Sequence, residues 1–92
     1  MSLAIHHDVD DSRFEYTQNN QTCHLDYELH DDIMAITHTY VPSTLEGQGI
    51  AAALTKAALL CARNNQWRVR PICSYTATYL QRHPEFQDLI VR

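Results

Sequence analysis

Gly47 and Gly49, separated by one residue, are the first feature of the sequence that could support chemistry. They stand between a predicted strand and a predicted helix. A glycine turn at the start of a helix suits an anion, because unpaired backbone N–H groups and the positive end of the helix dipole point to one place. The spacing alone also fits a simple turn. The sequence matches neither the P-loop pattern nor the three-glycine dinucleotide fingerprint, so a phosphate bound here would belong to another ligand.

Two further residues could take part in covalent or acid–base chemistry. Cys73 lies at the predicted end of a strand and just before a helix, whose N-terminus can lower the pKa of a thiol and favour the thiolate. A small buried apolar residue is the alternative reading of this cysteine. His38 lies in a predicted strand on the same face as Ile36 and Tyr40, where it could be a general base, a partner of a cysteine or a hydrogen-bonded structural histidine.

The remaining cysteines and the N-terminal histidines are given structural or solvated roles. Cys23 and Cys61 lie on apolar faces of a predicted strand and helix, which favours the core. Three widely spaced cysteines fit neither a disulfide framework nor paired zinc ligands, and a reducing cytoplasm is the simplest compartment. The segment from His6 to Asp11 contains groups that bind metals, but such tails are usually solvated, so no metal is expected.

Composition and charge indicate one small globular domain over residues 1–92, with residues 1–12 as a polar N-terminal tail. The chain is 45% hydrophobic and 20% charged, enough for one core and too short for two. A net charge of -4 with scattered Lys and Arg argues against nucleic acid or an anionic membrane as a partner. No segment approaches the roughly 20 apolar residues of a membrane span, and no signal peptide is recognised. Nothing in the sequence indicates an oligomeric state.

Alternating apolar and β-branched residues predict three antiparallel strands in the first half of the chain. The first covers residues 13–17 and is followed by a turn at Asn19-Asn20, residues that tolerate positive φ. The second covers 22–29 and is followed by a turn at 30–32. The third covers 33–41 and has apolar residues on both faces, so it should be central and covered on both sides.

The period changes after Pro42, which ends the third strand. Apolar residues then recur at helical spacing and predict a long amphipathic helix. They are Ile50, Ala53, Leu54, Ala57, Ala58 and Cys61. Asn64-Asn65 ends this helix, and residues 67–73 read as a strand with Pro71 at an edge or a splayed end. Ser74 can cap a short helix that breaks near Pro84, which gives an α+β domain.

Two stretches of the sequence resemble the GNAT acyltransferase superfamily. His38-Thr39-Tyr40-Val41-Pro42 followed by Glu46-Gly47-Gln48-Gly49-Ile50-Ala51 resembles its acetyl-coenzyme A motif. Arg70-Pro71-Ile72-Cys73-Ser74-Tyr75 and Tyr79-Leu80-Gln81-Arg82-His83-Pro84-Glu85-Phe86 are similar to segments of the small YjdJ-like, or NATD-like, subfamily. The resemblance covers about residues 14–91 and implies a minimal GNAT fold: antiparallel strands, a helix, a splayed strand and a short C-terminal helix.

The resemblance also implies a binding site for acetyl-coenzyme A. Backbone N–H groups of residues 47–51 would hold the pyrophosphate, and the splayed strands at 39–41 and before Cys73 would receive the pantetheine. Glu46 stands where the superfamily has Gln or Arg and adds a negative charge near phosphate. The implied cofactor residues are Thr39, Tyr40, Val41, Glu46, Gly47, Gln48, Gly49, Ile50, Ala51, Cys73, Ser74, Tyr75 and Tyr79.

The implied reaction is N-acetyl transfer, in which an amine attacks the thioester while a base and an acid move protons. Tyr79 stands where the family often has a tyrosine acid, although aromatic packing is an alternative role. The acceptor would be an amine on a small molecule or a protein. Two other functions stay open: a coenzyme A binding module without transfer, suggested by Glu46, and acyl exchange or hydrolysis through Cys73 with His38 or His83.

Overall fold

Residues 3–91, which the computed structural model describes, form a five-stranded mixed sheet and two α-helices. The strands are β1 (His6–Asp8), β2 (Arg13–Gln18), β3 (Gln21–His30), β4 (Ile33–Tyr40) and β5 (Arg68–Pro71). The helices are α1 (Ile50–Asn64) and α2 (Ser74–Arg82), with 3-10 turns at Ser43–Leu45 and Pro84–Leu89. The strands follow one another in chain order across the sheet, and only the pair of β4 and β5 is parallel. Neither α-helix is long and apolar enough to cross a membrane.

Two tight turns set the register of the antiparallel strands. Asn19 and Asn20 have φ values of 54° and 61°, and they connect β2 to β3 where Gln18 pairs with Gln21. Positive φ at both central residues is typical of hairpin turns whose twist matches that of the flanking strands. The turn predicted at Asn19-Asn20 is therefore confirmed. A second turn of the same kind connects β3 to β4 through Asp31 and Asp32.

Strand β1 occupies part of the segment predicted to be a polar tail. His6, His7 and Asp8 pair with β2, and the ring of His7 stacks on Phe14 with 4.0 Å between ring centroids. The Nε2 atom of His7 also lies 2.6 Å from the hydroxyl oxygen of Tyr27. The tail interpretation is wrong for these three residues, because contacts with distant parts of the chain order a stretch that carries little local pattern of its own.

The core lies between one face of the sheet and helix α1. The predicted long helix is confirmed, but its buried stripe is rotated relative to the predicted one. The buried residues of α1 are Ile50, Leu54, Thr55, Ala58, Leu59 and Ala62. Thr55 can be buried because its hydroxyl donates a hydrogen bond to the carbonyl oxygen of Ala51 at 2.8 Å. Cys23 is fully buried as expected, whereas Cys61 is half-buried at the edge of the core.

A bulge in β4 changes which side chains face the core. Tyr27 of β3 pairs with Ile36, but the preceding residue Asp26 pairs with His38, so Thr37 is an extra residue in β4. An extra residue shifts all later side chains to the opposite face. The prediction that His38 shares a face with Ile36 is therefore wrong. The prediction of two covered faces is also wrong, since Met34 and Ile36 are buried while His38 and Tyr40 are exposed.

The parallel strands β4 and β5 separate at Pro71. Their pairing runs from Ile33 with Arg68 to Ile36 with Pro71, and β4 continues from residue 37 to 40 beyond it. The backbone N–H groups of Ile72 and Cys73 both donate to the carbonyl oxygen of Ile36, at 3.1 and 2.9 Å, so these two residues stay at Ile36 and do not extend the ladder along β4. The strand is shorter than the predicted 67–73, and the predicted splay at Pro71 is present.

Candidate functional site

A cleft of about 430 Å³ opens where β4 extends beyond β5. The end of β4 forms one wall, the loop before α1 forms a second, and Tyr75 of α2 closes the third side. Its lining residues are Thr39, Tyr40, Val41, Leu45, Glu46, Gly47, Gly49, Ile50, Ala51, Ala52 and Tyr75. The fold thus brings together most of the residues that the family resemblance implies for cofactor binding. Gln48, Cys73, Ser74 and Tyr79 do not line this cleft.

The glycine turn presents an uncapped helix end to this cleft. Gly47 and Gly49 have φ values of 84° and 78°, in the left-handed region that residues with a side chain rarely adopt. Gly49 is the residue before the first turn of α1, and its carbonyl oxygen accepts the N–H of Ala53 at 3.0 Å. No side chain within residues 3–91 caps this end. The first N–H groups of α1 have no partner in the helix, so they are available to an anion.

Two side-chain hydrogen bonds hold the loop before α1 against the β2–β3 hairpin. Gln18 donates from Nε2 to Oε1 of Gln48 at 3.1 Å, and Thr44 donates to Oε1 of Gln21 at 2.8 Å. The side chain of Gln48 therefore contacts the hairpin, and its backbone is what it contributes to the turn. The roles of Gln18 and Gln21 were not predicted, since nothing in the sequence links them to a loop more than twenty residues away.

Cys73 occupies the N-cap position of helix α2. Its thiol lies 3.6 Å from the hydroxyl oxygen of Thr39, a residue of the cleft wall. Ser74, predicted to cap this helix, is instead its first residue, and no side chain of the described residues makes a formal cap bond. The Cys73 thiol therefore stands at the positive end of α2, directly behind the wall of the cleft.

Several donors surround the Cys73 sulfur. Burial raises the pKa of this thiol, but the backbone N–H groups of Thr76 and Tyr75 and the hydroxyl groups of Thr39 and Thr76 lower it further than burial raises it. Thr76 is fully buried, and within residues 3–91 its Oγ1 makes no ordinary hydrogen bond. A thiolate at Cys73 would give this hydroxyl an acceptor, which favours the ionised sulfur.

The other cysteines show the opposite behaviour. Burial raises the pKa of Cys23, which is fully enclosed in the core. Burial also raises the pKa of Cys61, with a smaller opposing effect from Asn65. Of the three thiols, Cys73 is therefore the one whose surroundings lower its pKa, and its role as a nucleophile stays a prediction.

His38 lies on the face of the sheet opposite the helices. Its ring is 5.9 Å from that of His24, which in turn is 5.4 Å from the ring of Tyr40. Nδ1 of His24 lies 3.1 Å from Oδ1 of Asp26, and the guanidinium of Arg13 donates to the same carboxylate oxygen at 2.8 Å. These five residues form a polar cluster that we call the open-face cluster. Sequence reasoning missed its members on β2 and β3, because their proximity depends on strand register.

The bulge places His38 and Cys73 on different sides of β4. Thr39, which contacts Cys73, pairs with the buried Leu25, whereas His38 pairs with Asp26 on the open face. The imidazole is thus not positioned beside the thiol as a direct partner in the described structure. A role for His38 as a base stays a prediction, and such a base would act from the open face.

Tyr79 lies beside the cleft, in a smaller depression of about 190 Å³ that shares Ala52 and Tyr75 with it. The Tyr79 ring is nearly buried and stacks on His83 with 3.8 Å between centroids. His83 donates from Nδ1 to the carbonyl oxygen of Tyr79 at 2.8 Å. Burial, followed by Glu85 and Tyr75, raises the pKa of Tyr79, so its phenol is protonated at neutral pH. The side chain thus combines a packing role with the protonation state that a general acid needs.

Comparison with known proteins identifies the family of this chain. The model of the GCN5-related N-acetyltransferase family matches residues 13–89, most of the chain. The chain belongs to the GCN5-related N-acetyltransferase family. The solution structure of a GCN5-like protein from Staphylococcus aureus, described as a candidate N-acetyltransferase, is similar with a TM-score of 0.75 and 28% sequence identity. The alignment covers 98% of this chain and 89% of that one. The α+β fold predicted from the sequence is confirmed.

Acetyltransferases of the GCN5-related family use acetyl-coenzyme A, and the cleft has features that suit such a ligand. The free N–H groups at the start of α1 suit a pyrophosphate, and the edge of β4 that β5 leaves open suits an extended amide-containing chain. Glu46 places a carboxylate on the cleft wall, which opposes phosphate binding. Burial raises the pKa of the Tyr75 phenol. Arg82, which lines the neighbouring depression, lowers this pKa by a smaller amount. A cation at this edge was not predicted.

The described part of the GCN5-related chain contains no cluster of three metal-binding side chains. Among residues 3–91, no group of three His, Cys, Asp or Glu residues could hold a metal ion. His7 has instead a hydrogen bond to Tyr27 and lies 3.9 Å from the Cys61 sulfur. His7 is thus part of the packing between β1, β3 and α1.

Proposed function

We propose that this protein binds acetyl-coenzyme A in the cleft and transfers the acetyl group to an amine on a small molecule or a protein. One observation carries the proposal: the glycine turn, the uncapped N-terminus of α1 and the end of β4 beyond its pairing with β5 border the same cleft. The backbone N–H groups of residues 47–51 hold the pyrophosphate, and residues 39–41 receive the pantetheine. When bound, the cofactor supplies an acetyl thioester that an amine can attack.

The residues around the cleft have separate parts in this proposal. The first turn of α1 binds the phosphates and fixes the direction of the ligand. Tyr79 holds a proton on its phenol at neutral pH and can give it to a leaving thiolate. His38 can accept a proton from an amine that approaches on the open face, where Asp26 holds the neighbouring His24 through its Nδ1 atom. The amine and the cofactor therefore reach the cleft from different sides of the sheet.

The binding step is tested by titrating acetyl-coenzyme A into the protein while amide chemical shifts are followed by NMR. We expect the largest changes at residues 47–51, 39–41 and 73–75. A panel of primary amines, with released coenzyme A thiol as the readout, then tests transfer. Millimolar ligand that leaves these amides unmoved would contradict the proposal. Binding without turnover of any amine would favour a coenzyme A binding module, the alternative that Glu46 suggests.

A second candidate function is acyl exchange or thioester hydrolysis through Cys73. The donors around the sulfur favour it, because Thr39, Thr76 and the start of α2 all stabilise a thiolate. In this route the thiolate attacks the thioester carbon, coenzyme A leaves as its thiolate, and the acetyl group is bound to Cys73. Mass spectrometry of the acid-quenched protein would detect that acyl group. Full activity of Cys73→Ala would exclude the route.

Two assignments of narrower scope belong to the same proposal. From the resemblance of the segments at 70–75 and 79–86, we propose that the chain belongs to the small YjdJ-like, or NATD-like, branch of the family. All three cysteines are free thiols, which is consistent with a cytoplasmic protein in a reducing environment. Measuring the fraction of the protein in the cytoplasm of its host would test the location.

A further inference from the structure

Cys73 has an environment that acyl transfer to a separate amine does not require. That reaction needs a bound thioester, a base and an acid, and none of these is a protein thiol. The structure nevertheless surrounds Cys73 with donors and leaves the hydroxyl of Thr76, a fully buried residue, without an ordinary partner among residues 3–91. A buried hydroxyl group without a hydrogen-bond partner costs free energy, so an acceptor for the Thr76 hydroxyl would stabilise the protein.

The position of the sulfur relative to the cleft indicates what could react with it. The Cys73 thiol lies 3.6 Å from the Thr39 hydroxyl, and Thr39 forms part of the cleft wall at the end of β4. Tyr75, two residues after Cys73, lines the same cleft. Gly47 and Gly49 of the glycine turn line this cleft as well. A ligand whose phosphates bind the glycine turn therefore shares the cleft with Thr39 and Tyr75, and the Cys73 sulfur contacts both of these residues.

We propose that Cys73 is a redox modification site at which the protein takes up coenzyme A from coenzyme A disulfide as a mixed disulfide. This inference rests on the proposed binding of coenzyme A in the cleft. The thiolate of Cys73 attacks one sulfur of the disulfide, and a new S–S bond forms between Cys73 and that coenzyme A. The old S–S bond breaks, and its electron pair leaves with the second coenzyme A as a thiolate, which takes a proton from water. The exchange needs no further oxidant or reductant.

Binding in the cleft makes the exchange selective for coenzyme A over other disulfides. A disulfide held by its phosphates presents its sulfur to Cys73 at a high effective concentration. Glutathione disulfide has no phosphate to bind the start of α1 and reacts only through random collision. We expect the selectivity to reach about tenfold or more in rate. The mixed disulfide fills the cleft and blocks acetyl-coenzyme A until a reductant removes it.

The test uses the full chain, reduced and then freed of reductant. The protein is mixed with coenzyme A disulfide or with glutathione disulfide at equal concentration, and intact mass and peptide mapping follow the adduct. Wild type and Cys61→Ser should gain one coenzyme A on Cys73, at least about tenfold faster than glutathione. Cys73→Ser should gain none. Thr76→Val, which keeps the shape of the side chain, should slow the reaction and move its pH midpoint upward.

Binding of acetyl-coenzyme A, which has no free thiol, is measured on the wild type in parallel by calorimetry. If acetyl-coenzyme A binds but no adduct forms on Cys73, this inference is wrong while the proposed cofactor site stands. Equal rates with both disulfides, or modification at Cys61, would also overturn the inference. If acetyl-coenzyme A itself does not bind, the proposed function fails and this inference fails with it.

Discussion

The thiol of Cys73 lies 3.6 Å from the hydroxyl oxygen of Thr39, across the gap that opens where β5 leaves β4. The contact joins the N-cap of α2 to the bulged end of β4, although the two residues are far apart in the chain. It depends on the bulge at Thr37, which turns Thr39 towards the helices. The contact therefore connects the Cys73 thiol, the separation of β4 from β5 and the wall of the cleft.

Removing the hydroxyl groups near Cys73 should raise the pKa of its thiol. Burial raises this pKa, while the backbone N–H groups of Thr76 and Tyr75 and the nearby hydroxyl groups of Thr39 and Thr76 together lower it below the usual range. Thr76→Val and Thr39→Val should each move the pH midpoint of iodoacetamide alkylation upward, because the thiolate loses a donor. Cys61 in the same peptide map is an internal control, since its pKa is raised by burial. Unchanged midpoints in both variants would contradict the role of these hydroxyls.

Gly49→Ala should destabilise the protein and weaken coenzyme A binding. The φ of Gly49 is 78°, and a side chain in the left-handed region costs about 1–2 kcal/mol. An added Cβ would meet no atom within 4 Å, so the cost comes from backbone strain and not from a clash. Gly49→Asn is the matched control, because asparagine tolerates this region better. Urea denaturation gives the stability, and ligand titration gives the affinity. Equal effects of both substitutions on stability would point to a cause other than φ.

Glu46→Gln should strengthen the binding of acetyl-coenzyme A. The carboxylate of Glu46 lines the cleft near the glycine turn and repels phosphate. Removing the charge should improve affinity several-fold, roughly 0.5–1 kcal/mol, since exposed charge interactions are of this size. The gain should shrink at high salt, because salt screens the repulsion. Glu28→Gln, an exposed change on β3, is the control and should leave affinity unchanged. A salt-independent effect of Glu46→Gln would exclude a charge mechanism.

Acidification should loosen β1 through His7. Burial, and then the nearby His6, lower the pKa of His7, while Asp8 opposes them. The folded state therefore disfavours the protonated ring, and the unfolded chain takes up the proton first. The free energy of unfolding should fall as the pH drops through about 6.5, the ordinary histidine value, and the loss should be complete below the lowered folded pKa. Because Nε2 of His7 is hydrogen-bonded to the hydroxyl of Tyr27, protonation of the His7 ring should weaken the contact between β1 and β3.

His7→Phe isolates this effect from the other histidines. The phenylalanine ring can keep the stacking on Phe14, which now has 4.0 Å between centroids, but it cannot titrate. Denaturation at pH 7.5 and pH 5.0 should show a smaller loss of stability for the variant than for wild type. Protection factors of the amides in His6–Asp8, corrected for the intrinsic exchange rate at each pH, should fall at low pH in wild type alone. An identical pH dependence in both proteins would assign the acid sensitivity to other groups.

Much of the cleft could be predicted because its parts are local. Asn19-Asn20 makes a hairpin turn because these residues accept positive φ, and the same reasoning applies to the glycines before α1. The repeat of apolar residues from Ile50 onward predicted the helix that follows them. Pro71 predicted that the end of β5 would lie at an edge or splay, because proline has no N–H for a strand ladder, although the strand ends earlier than the predicted residue 73. Each of these features depends on a few neighbouring residues.

The face of His38, the open-face cluster and strand β1 could not be predicted in the same way. His38 alternates in sequence with Ile36, but the bulge at Thr37 reverses its face, and a bulge reflects the fit of two strands. β1 contains only three polar residues, and it is ordered by the contact of His7 with Phe14 and Tyr27. Such contacts join residues that are distant in sequence, so no local pattern predicts them.

The sequence by itself determined the order of β2 to β5 and of the two helices, the glycine turn and the presence of a cysteine before α2. Backbone preferences and hydrophobic period act over a few residues, which is why they can be read from the chain alone. The tertiary structure decided which groups meet: Cys73 with Thr39 and Thr76 on one side of β4, and His38 with His24 on the other. The reason is physical, because strand register and helix packing fix distances between residues that the chain itself leaves unconstrained.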